Sequence, residues 1–141
     1  MYEEYSKQAL PDRKYRLLLG TALCVFNSNN SFIIENILRN DPSRRYNWHD
    51  LMDLTSGNLI EPVRQTIEQT SSSEIAEEFR QLKDKRDRIV HSFQVTSKDG
   101  SQILATKYKN GSQDNITEQF LLDFIDENGK LSQELHAIRG F

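Results

Sequence analysis

The sequence predicts a mainly α-helical fold: an up-and-down bundle of about four to five helices with one small β-hairpin. Apolar residues recur at spacings of three and four through most of the chain, which is the period of amphipathic helices. The exception is residues 93–109, where two β-prone runs flank an Asp-Gly turn. A chain of 141 residues is long enough for one domain with its own core, so we treat residues 1–141 as a single domain.

Composition and charge limit the classes of function. Hydrophobic residues make up 36% of the chain and charged residues 28%, which is typical of a globular protein with a polar surface. The net charge of −3 gives no overall basic field, so any contact with RNA must use a local basic patch. The single cysteine, Cys24, excludes an internal disulfide and is expected to pack as a small hydrophobe. We expect no signal sequence, no bilayer-spanning run and no membrane partner, and therefore a cytoplasmic location.

The first helix is predicted to begin after Asp12, whose side chain can cap it. Apolar residues keep one helical phase through residues 15–37, except in the polar segment 27–31. That segment is either a turn between two helices or part of one continuous helix. The missing position in the apolar stripe is Asn29 or Asn30. Because the phase is the same on both sides, we favour the continuous helix, with Asn30 in phase with the core and directed into the bundle. A buried amide needs hydrogen-bond partners, and Arg86 is a candidate.

The loop after the first helix contains the one basic and aromatic cluster outside the central charged segment. Arg44 and Arg45 precede Tyr46 in this loop. Arginine pairs with phosphate and an aromatic ring stacks on a base, so Arg44 and Arg45 are candidate RNA contacts. The ordinary alternative is a solvated loop.

Cap and turn residues mark the remaining helices. Asn47 is predicted to cap a second helix that is interrupted at residues 56–58, and Ser73 to cap the helix that carries the charged segment. The last helix is predicted to begin near Thr117, with a possible break at residues 128–129.

Two β-prone runs, 94–96 and 102–108, precede the last helix. The Asp-Gly turn between them predicts a hairpin, which needs support from a larger surface. We expect it to fold back over the bundle beside the charged segment.

The densest charge in the chain lies at residues 83–93, where the third predicted helix ends. The apolar residues of this helix form one stripe: Ile75, Phe79, Leu82, Ile89 and Phe93. Arg86 occupies the stripe position between Leu82 and Ile89. A charge there is costly unless it is paired or borders a cleft, so Arg86 is the first candidate functional residue.

The spacing of the polar residues in this segment predicts an assembly. Asp87 and His91 are four apart and face each other across one helical turn. Arg86 and His91 are five apart, or about 140° around an ideal helix at roughly 100° per residue. To act on one substrate they need a distortion of the helix near His91 or a second copy across a dimer axis. The ordinary alternative is that the charged run is a solvated helix face.

The run from Arg86 to His91 resembles the motif of the HEPN (higher eukaryotes and prokaryotes nucleotide-binding) superfamily. That motif is an arginine, often followed by a small polar residue, with a histidine a few residues later. Arg86, Asp87 and His91 match these positions, with His91 at the shortest of the allowed spacings. The resemblance implies a bundle of about four helices with the motif near a helix end. Many members resemble metal-independent endoribonucleases that act as homodimers, with the motifs of both protomers lining one cleft.

The resemblance implies a role for each residue in RNA cleavage by attack of the 2′-hydroxyl. His91 would transfer protons, Arg86 would neutralise the phosphorane, and Asp87 would orient His91 or hold Arg86. Lys85 and Arg88 would position the RNA backbone. We expect no metal or other cofactor, because neither His49 nor His136 has a partner at metal-ligand spacing.

Other members of the family keep the fold and bind only nucleotides or protein partners. The alternative prediction is therefore a non-catalytic helical module that binds a nucleotide or a partner. From the resemblance alone, the setting would be toxin–antitoxin or phage defence, with an antitoxin or inhibitor as a possible partner. The net negative charge favours this alternative, because nuclease surfaces are often more basic.

Overall fold

The computed structural model describes residues 5–71 and 73–139, and its order of elements confirms a mainly α fold with a small sheet before the last helix. The helices are α1 (Arg13–Arg39), α2 (Trp48–Asp53), α3 (Ile60–Gln65), α4 (Ile67–Thr70), α5 (Ile75–Val90) and α6 (Glu118–Arg139), and a 3-10 turn spans Ser56–Leu59. The strands are β1 (Phe93–Thr96), β2 (Gln102–Lys107) and β3 (Gln113–Ile116).

Helix α1 is continuous, as the apolar phase predicts. The Asp12 side chain accepts a hydrogen bond from the Tyr15 N–H at 2.8 Å, which confirms the predicted cap. The prediction that Asn30 points into the bundle is wrong, because the buried amide is that of Asn29, which is 3% exposed. Asn29 Nδ2 donates to the carbonyl oxygen and to Oδ1 of Asn128, at 2.8 and 3.0 Å. Helix α6 covers α1 on this side, and that extra neighbour buries Asn29 while Asn30 stays half-buried.

Helix α6 runs parallel to α1, since ion pairs join Lys14 to Glu118 near their starts and Glu35 to Arg139 near their ends. Its first turn is capped by Thr117, whose Oγ1 accepts from a backbone N–H at 3.0 Å, as predicted. The possible break at residues 128–129 is absent, and the helix continues through them. The Asn128 side chain bonds back to the carbonyl one turn earlier, so this buried polar residue is satisfied within the helix and by Asn29.

Three aromatic rings form the centre of the core. The Phe26 ring stacks on Phe79 of α5, with centroids 5.5 Å apart, and on Phe124 of α6, at 6.2 Å. All three side chains are fully buried. This stack joins α1, α5 and α6, and thereby fixes the position of the helix that carries the charged segment.

The short helices between α1 and α5 confirm two predictions and correct one. Asn47 caps α2, and the predicted interruption at residues 56–58 lies in the 3-10 turn. Ser73 does not cap α5, because Glu74 occupies the cap position and makes no side-chain cap bond. A carboxylate oxygen of Glu68, on α4, instead accepts from the Ala76 N–H at 2.9 Å, so the first turn of α5 is satisfied from outside the helix.

The sheet has three strands where a two-stranded hairpin was predicted. β1 and β2 pair antiparallel with Phe93 opposite Ala105, and the turn between them contains Gly100 at a φ of 87°, as the Asp-Gly signal predicts. The hairpin continues into β3, with Leu104 opposite Ile116. β3 was missed because three of its four residues are polar and exposed. The Tyr15 hydroxyl donates to the Ile116 carbonyl and accepts from the Leu104 N–H, which attaches the sheet to α1.

Helix α1 differs from two expectations, one about its apolar character and one about its cysteine. By length and composition alone this helix is apolar enough to cross a membrane, although no such run was expected. In the structure it is the central helix of the bundle and contacts α2, α3, α5 and α6. Cys24, which was expected to pack inside, is exposed on its surface.

Two carboxyl groups meet where α5 packs antiparallel to α6. Burial of Glu78, together with its hydrogen bond to Glu134 and repulsion from Glu134 and Glu74, raises its pKa from 4.5 to about 7. Glu78 and Glu134 line a cavity of about 190 Å³ with Gln81, Glu127 and Lys130. Near pH 7 the Glu78 carboxyl is therefore protonated in about half of the molecules.

The Glu78 carboxyl makes stability depend on pH. Since its pKa is higher in the folded state, the folded chain binds more protons between about pH 4.5 and 7. The stabilisation is complete below the unfolded pKa of 4.5 and is lost as the pH rises through 7. We expect Glu78→Gln to flatten the fall in the free energy of unfolding between pH 5 and 8, measured by urea denaturation.

Glu77→Gln is the matched control for that measurement. The Arg80 guanidinium lowers the pKa of Glu77 to about 2, so this neighbouring carboxylate stays ionised between pH 5 and 8. Its substitution should change stability equally at each pH in that range. A Glu78→Gln variant with the same pH dependence as wild type would contradict the raised pKa of Glu78.

Candidate functional site

Helix α5 holds the charged segment because its apolar stripe packs into the core. Ile75, Phe79, Leu82 and Ile89 are buried, as the spacing predicts, whereas Phe93 begins β1 and is 40% exposed. The helix ends at His91, whose backbone leaves the helical region with φ −96° and ψ 26°. The charged residues therefore lie on the final turns of α5, between α1, the sheet and α6.

Arg86 lies on the apolar stripe, and the structure shows how its charge is accommodated. Its guanidinium carbon lies 4.8 Å above the centroid of the Phe26 ring. Its Nε and Nη2 contact Asp87 Oδ1 at 3.1 and 3.0 Å. The side chain is 23% exposed, so one edge of a half-buried cation reaches solvent. A cation–π contact and a carboxylate together offset the cost of removing this charge from water.

The carboxylate of Asp87 is held between two cations. Arg86 contacts Oδ1, and Lys83 Nζ contacts Oδ2 at 2.8 Å. Burial disfavours ionisation of Asp87, but the Lys83 ammonium and then the Arg86 guanidinium outweigh it and lower the pKa of this carboxyl. The same contact raises the pKa of Lys83. Asp87 is therefore a fixed anion that orients Arg86.

His91 is exposed and separate from this network. Its backbone N–H donates to the Asp87 carbonyl at 2.9 Å, and within residues 5–71 and 73–139 no side-chain hydrogen bond or ion pair reaches its ring. The spacing of Asp87 and His91 predicted that they face each other. Their side chains form no hydrogen bond, because both carboxylate oxygens of Asp87 bind cations instead. Asp87 was predicted either to orient His91 or to hold Arg86. The structure contains the contact with Arg86.

Lys85 and Arg88 point to neighbouring elements. Lys85 Nζ pairs with both carboxylate oxygens of Glu127 on α6, at 2.6 and 2.8 Å. Arg88 Nη1 donates to the Lys107 carbonyl at 3.2 Å, and its guanidinium lies 5.8 Å from the centroid of the Tyr108 ring. The sheet therefore lies beside the charged segment, as expected.

An open groove of about 560 Å³ runs along this side of α5. Four cations, two carboxylates and two aromatic rings line it: Lys83, Lys85, Arg88, Lys109, Asp84, Asp87, Tyr108 and Phe120. The sequence did not single out Tyr108 or Phe120, because they come from the end of the hairpin and the first turn of α6. Only the fold brings these aromatic residues to the cations of α5.

Arg44, Arg45 and Asn30 do not join the charged segment. Arg45 pairs with Asp41 and donates to the Gln65 carbonyl at 2.8 Å, so it attaches its loop to α3. Arg44 lies in the same loop with a φ of 53°. Asn30 accepts a hydrogen bond from the Ser56 hydroxyl at 2.6 Å, and its expected bond to Arg86 is absent from the described part of the chain.

The histidines give no metal site. His49 is exposed beside Trp48 on α2, and His136 is exposed beside Phe32. No group of three or more histidine, cysteine or acidic residues within 5–71 and 73–139 is placed to hold a metal ion.

Comparisons with protein-family models, with curated proteins and with solved structures find no match to this chain. The resemblance to the HEPN superfamily accordingly depends on Arg86, Asp87 and His91 and on the helical fold around them.

Proposed function

We propose that this protein is a metal-independent endoribonuclease that cleaves RNA by attack of the 2′-hydroxyl on the adjacent phosphate. The observation that carries the proposal is the end of α5. There a half-buried arginine is oriented by a carboxylate and an aromatic ring, close in sequence to an exposed histidine.

Each residue has a step in this reaction. A base removes the 2′-hydroxyl proton as the 2′-oxygen bonds to phosphorus. The bond to the 5′-oxygen then breaks, and an acid protonates that oxygen, which leaves a 2′,3′-cyclic phosphate and a 5′-hydroxyl. Imidazole can both accept and donate a proton, so His91 of one chain serves as the base and His91 of a second chain as the acid. Arg86 stabilises the charge on the phosphorane, and Asp87 holds the guanidinium in place so that little reorganisation is needed.

A homodimer completes the proposed site. One histidine in each chain cannot be base and acid at once, and two copies of α5 around one axis supply two. Val90 and Phe93 on either side of His91 are 54% and 40% exposed. A second copy packed at this helix end would bury both apolar side chains and bring the second His91 into the same cleft.

The second candidate function is a non-catalytic module that binds a nucleotide or a protein partner. It is favoured by the ion pair between Arg86 and Asp87, which satisfies part of the guanidinium within the chain. The net charge of −3 also favours it. In either case the toxin–antitoxin or phage-defence setting, with an antitoxin or inhibitor, follows from the family resemblance.

The test is cleavage of a mixed RNA pool by purified protein in excess EDTA, beside a folded Arg86→Ala/His91→Ala variant. We expect wild type alone to cleave and to leave 2′,3′-cyclic phosphate ends. Equal cleavage by the double variant would place the reaction elsewhere. Absence of cleavage by both proteins would favour the binding module.

A further inference from the structure

We infer that the groove beside α5 binds a single-stranded segment of the RNA next to the scissile bond, with one base stacked at Arg88 and Tyr108. This inference rests on the proposed RNA substrate, and it assigns the groove residues that hold it. Neither Tyr108 nor Lys109 belongs to the motif that suggests the nuclease.

The first support is the charge of the groove. Four cations and two carboxylates line it. Lys83 is neutralised by Asp87 and Asp84, and Lys85 by Glu127. In the described ranges no carboxylate pairs with Arg88 or Lys109. Two cations therefore remain for an anionic ligand, although the protein as a whole is acidic.

The second support is the stacking surface. The Arg88 guanidinium lies 5.8 Å from the centroid of the Tyr108 ring, within the range of a cation–π contact. Burial and the neighbouring Asp114 carboxylate raise the pKa of the Tyr108 hydroxyl, so β3 as well as α5 lies close to this ring. Guanidinium and aromatic planes are the surfaces on which proteins stack unpaired bases.

The third support is the size and shape of the groove. A volume of about 560 Å³ is typical of sites for one small ligand and is suited to one nucleotide or two. Phe120, half-buried in the first turn of α6, adds apolar surface. A duplex hides its bases in the stack and presents mainly phosphates and grooves, so this combination favours single strands.

Binding is tested separately from cleavage with a fluorescein-labelled 2′-O-methyl oligouridine, which lacks the attacking hydroxyl. Fluorescence anisotropy with wild type and folded variants gives Kd at several salt concentrations. We expect Tyr108→Ala to raise Kd about tenfold or more, and Tyr108→Phe to stay close to wild type because it keeps the ring. Arg88→Gln should also raise Kd, and Lys109→Gln should reduce the slope of log K against log salt by about 0.7.

Lys98→Gln is the matched control, since Lys98 is an exposed lysine in the β1–β2 turn and does not line the groove. It should leave Kd and the salt slope unchanged. The inference is overturned if wild type does not bind the oligonucleotide, or if Tyr108→Ala and Arg88→Gln bind as wild type does. If the protein binds the oligonucleotide through the groove but does not cleave RNA, only the proposed nuclease activity is overturned. Cleavage that is insensitive to the groove variants would overturn the groove alone.

Discussion

Replacement of His91 by alanine should reduce RNA cleavage by about 10²- to 10⁴-fold, the usual contribution of a proton-transfer group. The free energy of unfolding should stay within about 0.5 kcal/mol of wild type, because the side chain is exposed. Its only hydrogen bond among the described residues is made by the backbone, which alanine keeps. Initial cleavage rates and urea denaturation measure the two quantities.

His49→Ala is the control, since it removes another exposed histidine, which lies on α2. It should cleave at the wild-type rate. Full activity in His91→Ala would contradict the mechanism. Mixing wild type with an excess of His91→Ala chains should lower the cleavage rate per wild-type chain, because mixed dimers hold only one of the two histidines that the shared cleft needs. An unchanged rate per wild-type chain would contradict a site shared between protomers.

Features of the fold that depend on local sequence were predictable. The unbroken apolar phase gave the length of α1, and Asp12, Asn47 and Thr117 cap their helices as expected. The Asp-Gly signal located the turn at Gly100. In each case the structure is decided by residues within one helical turn or one hairpin, so no knowledge of distant contacts was needed.

The wrong predictions and the one contact that was not predicted involve partners from other elements of the fold. Asn29 and Asn30 differ by roughly 100° on the helix, and the position of α6 decides which of them is buried. Glu68 in place of Ser73 satisfies the start of α5 because α4 packs there. The meeting of Glu78 with Glu134 requires the antiparallel packing of α5 and α6, which the spacing of charges along one helix cannot indicate.

The segment that forms the candidate site was predictable from the sequence. The contacts between its side chains were less predictable. Asp87 has possible partners four residues away on both sides, Lys83 and His91. The spacing rule allows both contacts and favours the order of Asp87 and His91, in which the acid comes first. Lys83 and Arg86 form the observed contacts, since the helix ends at His91 and its backbone turns away. Competition between local partners is therefore decided by where the helix stops.

Phe26→Ala should lower the free energy of unfolding by about 3–5 kcal/mol, the usual cost of removing a fully buried aromatic ring. The substitution leaves a cavity between Phe79 and Phe124, where all three long helices meet. It also removes the ring beneath the Arg86 guanidinium. Urea denaturation at one pH measures the loss.

Phe32→Ala is the matched control, because this ring also lies on α1 beneath an arginine, with Arg139 at 5.7 Å, but is only partly buried. Phe32→Ala should lower the free energy of unfolding by clearly less than Phe26→Ala does. An equal loss would contradict the central position of Phe26.

Phe26→Leu separates packing from function, since leucine fills most of the space and lowers the free energy of unfolding by only roughly 1–2 kcal/mol. If the ring orients Arg86 for catalysis, Phe26→Leu should cleave RNA more slowly while remaining folded. Unchanged cleavage would mean that the contact between Arg86 and Phe26 serves stability alone.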